Sequence, residues 1–142
     1  MKKFLFTLFI FLVNCVLFAQ VPATNSISEA INLLGNPVPS GFVQVERTFF
    51  SRITHEGLTI GTSVQNGIVT HVSVGGAFST THEASGQRGV FFRELENRGT
   101  FIWSSGDGDF YRIGNVIAWI EPISRRLDGL ITVGVNFIMD DL

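Results

Sequence analysis

The chain has 142 residues, 45% of them hydrophobic and 15% charged, with a formal net charge of −2. That balance excludes a disordered chain, which is poorer in apolar residues, and a nucleic-acid binder, whose phosphate partners call for a clustered basic surface. A single cysteine excludes a framework of internal disulfides.

Residues 1–19 read MKKFLFTLFIFLVNCVLFA. Lys2 and Lys3 form a positive start, and the run from Phe4 to Ala19 is broken only by Thr7 and Asn14. This is the pattern of a secretory signal peptide, removed on export. A permanent spanning helix needs about 20 apolar residues, and this run stops short, at Gln20-Val21-Pro22. Ala19 meets the small-residue rule for cleavage, with Ala23 as the second choice. Cys15 does not fit a lipid-attachment site, because Asn14 precedes it and the apolar run continues through Phe18.

The expected product, residues 20–142, is a single domain with no cysteine and no lysine. Eight arginines face twelve acids, a net charge of −4. The arginines are scattered along the chain, as on a solvated surface. Nine phenylalanines and both tryptophans supply core volume without staples.

Ser26-Ile27-Ser28-Glu29 matches a capping box, and Ile27, Ala30, Ile31 and Leu34 share one helical face. Gly35 stands where a left-handed residue ends a helix. A second helix is predicted over 87–97, with Phe91 and Leu95 on one side.

Alternating residues predict strands over 42–47 (extending to Phe50), 58–64, 68–74, 100–103, 110–113, 116–120 and 130–138. Asn66-Gly67 marks a hairpin over 58–74. A three-residue loop pairing Val64 with Ile68 and Ile60 with Val72 keeps the apolar side chains together, whereas a two-residue loop separates them. His71 then lies on the face away from the apolar one, where a strand histidine is usually solvated. Helix followed by strands occurs twice, which hints at a duplicated unit. The fold class is α+β: an antiparallel sheet of about six to seven strands with two short helices on one side.

Chemistry-bearing patterns are sparse. Thr54-His55-Glu56 and Thr81-His82-Glu83 repeat one tripeptide, with His71 between them. These residues define a metal-dependent hydrolase as one alternative, although the spacing matches no zinc motif. Asp107-Gly108-Asp109 lacks the further oxygens of a calcium loop. Glu94 and Glu96 diverge on a helix and form no acid–base pair. There is neither a serine nucleophile elbow nor a phosphate loop. Ile131–Phe137 alternates like the closing strand of an outer-membrane β-barrel, a second alternative that the capped helix does not suit. No cofactor, metal or catalytic residue is therefore assigned. The leading expectation is an exported, periplasmic or extracellular, non-catalytic module that binds a protein, peptide or envelope component.

Overall fold

The computed structural model describes residues 20–140 together with the backbone of β1 (Val16–Leu17). The rest of the expected signal segment lies outside the described residues.

Helix α1 spans Thr24–Leu33 and buries Ser26, Ile27, Ala30 and Leu33. It begins before the expected cap. Ala23 occupies the N-cap position without a side-chain bond, so the Ser26–Glu29 capping box does not form. Instead Ser26 turns inward, and Glu29 pairs with Arg52. Gly35 follows the helix at φ +80°, as expected for a left-handed stop.

Helix α2 spans Thr81–Arg98, starting earlier than the sequence suggests. Thr80 caps it, accepting from the Glu83 N–H at 3.1 Å, while its hydroxyl donates to the Glu83 carboxylate at 3.0 Å. This N-cap offsets the poor helix propensity of Gly86 and Gly89. Ala84, Gln87, Phe91 and Leu95 form the buried stripe.

The main strands are β2 (Val43–Glu46), β3 (Phe49–Ile53), β4 (Thr59–Gln65), β5 (Ile68–Phe78), β6 (Thr100–Ser105), β7 (Gly108–Ile113), β8 (Val116–Ile120) and β10 (Ile131–Met139). Two-residue strands β1 and β9 (Ser124–Arg125) pair with β5 and β10. The count exceeds six to seven partly because the stretch expected to run from Phe42 to Phe50 bends after Glu46 into β2 and β3.

The spatial order is β2-β3-β4-β5-β10-β8-β7-β6. Each half is therefore one helix followed by a four-stranded meander, and the last strands of the halves, β5 and β10, pair in the centre. The topology carries the repetition that helix–strand order hinted at. The path is open, with β2 and β6 as edges, so these strands do not form the closed barrel considered above.

The β4–β5 hairpin corrects the expected register. Gln65 pairs with Ile68 and Val64 with Val69, so the loop is the two-residue Asn66-Gly67. Both loop residues have positive φ, at 53° and 79°, as a type I′ turn requires. The apolar register survives because a bulge at Thr70 restores the phase: beyond it Thr62 pairs with Val72 and Ile60 with Val74. One extra residue flips the alternation, so Val64 and Val69 share the face of Ile60, Val72 and Val74.

Both helices pack against that face. Ile60, Val72, Val74, Val135, Phe137, Ala118, Ile120 and Tyr111 join Ile27, Phe91 and Leu95 in one core. The opposite face presents the alternate residues.

Candidate binding face

Strand register aligns Ser73, Asn136, Trp119, Phe110 and Trp103 side by side on β5, β10, β8, β7 and β6. All point away from the helices. Asn136 comes from the middle of an otherwise apolar strand and is fully buried. Its Oδ1 accepts from the Ser73 hydroxyl at 2.7 Å and lies 3.0 Å from His71 Nε2. Because Oδ1 is an acceptor, Nε2 carries the ring proton and Nδ1 is a bare lone pair.

His71 is buried, not solvated as the sequence suggested. Burial drives its pKa from 6.5 down to about 4, partly countered by the Asn136 hydrogen bond. The imidazole is therefore neutral at physiological pH.

The same face carries a ladder of rings. His71 stacks with Trp119 at 6.1 Å between centroids, Trp119 with Phe110 at 5.5 Å, and Phe110 with Trp103 at 5.5 Å. Offset stacks of this kind add about 0.5–1.5 kcal/mol each beyond burial. The ladder runs from the sheet centre to edge strand β6, where Phe101, Ile102 and Trp103 are 52%, 42% and 51% exposed.

Glu121 follows β8 and is buried. Its pKa rises from 4.5 to about 7 through burial, partly countered by the nearby Asn136 amide, with a lesser upward push from the charge of Asp107. Arg88 reaches the Glu121 carbonyl oxygen and the Asp109 carboxylate, both at 3.1 Å.

Four buried polar atoms on this face have no hydrogen-bond partner among the described residues: Thr59 Oγ1, Ser63 Oγ, His71 Nδ1 and Asn136 Nδ2. Asn136 Nδ2 completes no bond of ordinary geometry, although the amide lies near enough to Glu121 to favour its ionised form. Buried orphans of this kind each cost about 1–3 kcal/mol. Their concentration here sets this face apart from the apolar one.

The histidines of the proposed metal constellation are dispersed. His55 is exposed in the β3–β4 loop and His82 is exposed in the first turn of α2, while His71 is buried mid-sheet. Among the described residues no group of three or more His, Cys, Asp or Glu side chains is placed to hold a metal ion. The repeated tripeptides have a different use. Glu56 accepts from the backbone N–H groups of Asn25 and Ser26, capping α1 from another loop, and Glu83 accepts from the Thr80 hydroxyl that caps α2.

In the Asp107-Gly108-Asp109 loop, Asp109 is engaged by Arg88 and Ser104. A side chain at Gly108 would meet the Ile120 carbonyl oxygen at 2.2 Å, so this glycine is required by close strand approach. Glu94 pairs with Arg98 at 3.3 Å. Asn136 and Glu121 were not singled out from the sequence; the available signal was an amide and a carboxylate adjoining strongly apolar strands.

No family model, curated protein or solved structure matches this chain. Among the described residues no helix is long and apolar enough to cross a membrane.

Proposed function

We propose that the chain is exported with removal of residues 1–19, and that its domain is a non-catalytic binding module taking an extended segment of a partner protein along β6. The charged start and short apolar run of the leader support export. The observation that carries the binding reading is the run of three exposed apolar residues on an open sheet edge.

An edge strand offers unpaired N–H and C=O groups to an incoming strand. On β6 the side chains add to this. A bulge between Phe101 and Trp103 puts Phe101 opposite Tyr111 on the helix side and Trp103 opposite Phe110 on the other. An added strand would thus meet an aromatic ring on each face. Strand β6 (TFIWSS) carries no charge, whereas the opposite edge, β2, ends in Glu46 with Arg47 beyond it. Charged residues discourage strand addition, and β6 lacks them.

The test uses the processed protein as bait against envelope extract and culture medium, beside a Phe101→Ser/Trp103→Ser variant. A partner retained by the wild type and lost by the variant supports the reading. Equal recovery by both, or none by either, overturns it.

A further inference from the structure

The residues just after the proposed cleavage point are fastened into the fold before α1 begins. Gln87 has no exposed surface; its Oε1 accepts from the Val21 N–H at 2.7 Å and its Nε2 donates to the Val21 carbonyl at 3.0 Å. One side-chain amide thus supplies the two bonds that a neighbouring strand would give. Ala23 is buried and its carbonyl accepts from the Ile27 N–H at 2.9 Å. Cleavage after Ala23 would remove Val21 and with it both hydrogen-bond partners of the Gln87 amide. Cleavage after Ala19 keeps every one of these bonds, although it takes the two-residue strand β1 from beside the end of β5.

Gln20 itself is exposed. Its side-chain amide lies over Gly86, where a Cβ would come within 2.7 Å of Gln20 Oε1. With His82, Glu83, Ser85 and Gly86 it borders an open cavity of about 590 Å³. The terminal amide therefore has room to turn, while Val21 behind it is held.

We propose that Gln20 is a modification site: as the N-terminal residue of the exported protein it closes to pyroglutamate. The inference rests on the cleavage after Ala19 proposed above. The neutral α-amine attacks Cδ of its own side chain, forming the N–Cδ bond. The Cδ–Nε2 bond breaks, one amine proton passes to the leaving nitrogen, and ammonia departs. No oxidant or cofactor enters. The product is an uncharged, ring-closed terminus anchored on α2 through Val21 and Gln87.

The experiment expresses the full chain, leader included, in an exporting host and reads the purified protein by intact mass and by tandem mass spectrometry of its N-terminal peptide. The expected mass is that of residues 20–142 less one ammonia. An open-chain Gln20 that persists on prolonged incubation overturns the modification and leaves the cleavage reading standing. A terminus at Thr24, or one retaining residues 1–19, overturns both.

Discussion

Glu56 caps α1 across a gap of thirty residues in sequence: its Oε1 accepts from the Ser26 N–H at 2.8 Å and from the Ser26 hydroxyl at 2.7 Å. Its Oε2 accepts from the Asn25 N–H at 3.2 Å. The Thr54 and Ser26 hydroxyls lie 2.8 Å apart beneath this contact. The helix thus receives its cap from the β3–β4 loop, which fixes α1 against the sheet as well as ending it. Replacing Glu56 by alanine is expected to cost about 1–2 kcal/mol in urea unfolding, the usual value of an N-terminal cap helped by the helix dipole. His55→Ala, one residue away, is expected to change stability by less than about 0.5 kcal/mol. A His55 loss as large as that of Glu56 would contradict this assignment of the tripeptide.

The buried histidine and glutamate oppose each other in their pH dependence. His71 is held neutral, with its pKa moved from 6.5 to about 4, so its contribution to stability is lost as pH falls through that window. Glu121 is held protonated, with its pKa moved from 4.5 to about 7, so its contribution is lost as pH rises through that window. The two slopes offset between about pH 4.5 and 6.5, where the wild type is expected to be nearly flat. Glu121→Gln leaves the histidine, and stability then rises with pH across this range. His71→Phe leaves the glutamate, and stability falls with pH. Each slope is bounded by about 1.4 kcal/mol per pH unit. Chemical unfolding at a series of pH values measures both; slopes of the same sign in the two variants would refute the pairing.

The Thr70 bulge yields an unusual expectation. Deleting Thr70 removes only the extra residue, and the hairpin becomes a regular two-residue-loop ladder with Val69 still opposite Val64. The deletion is expected to fold, at a cost of about 1 kcal/mol or less. Gly67→Ala, by contrast, places a side chain at φ +79° and is expected to cost about 1 kcal/mol. Thermal melts rank the two, and amide shifts at Val64 and Val69 report whether the register is kept.

Gly108, the first residue of β7, tolerates no side chain. Alanine there combines φ +138° with a contact of 2.2 Å to the Ile120 carbonyl, so β7 and β8 must separate. The expected loss exceeds about 3 kcal/mol. A Gly108→Ala protein with wild-type melting would show that β7 and β8 approach less closely than described.

At β6, Phe101→Ser/Trp103→Ser removes half-exposed rings at an edge. Stability is expected to fall by about 2–3 kcal/mol, through the lost Trp103–Phe110 stack, the lost Phe101–Tyr111 edge contact and the buried half of each ring, while far-ultraviolet circular dichroism stays unchanged. Loss of partner capture without loss of fold is the combined outcome that separates a binding edge from a structural one.

What was legible before folding was the local grammar. The helix around Ile27, Ala30 and Leu34, the strands with period-two alternation, the hairpin at Asn66-Gly67 and the α+β class all follow from side-chain periodicity and turn chemistry. These act over a few residues, so a linear reading captures them. The hairpin loop failed for an instructive reason: two local rules disagreed, and the chain satisfied both by inserting Thr70. The capping box at Ser26 does not form because α1 starts earlier, with Ala23 at its N-cap, and the Ser26 N–H goes to Glu56, remote in sequence. The start of α2 at Thr81 is hidden in the sequence because its cap, Thr80, lies ahead of a glycine-rich stretch.

The candidate face belongs to the other category. His71 and Asn136 are 65 residues apart and meet only because β10 crosses between β5 and β8. Nothing in either strand names its neighbour; alternation says which side chains face together, not which strands do. Pairing partners are settled when the whole sheet closes over one apolar core, and with them the burial that shifts His71 and Glu121. The sequence by itself determined the charged start and apolar run of residues 1–19, most of the elements and the apolar face. Only the tertiary structure decided that the second face would gather a buried amide, a neutral imidazole, a raised carboxyl and a row of rings leading to an open edge.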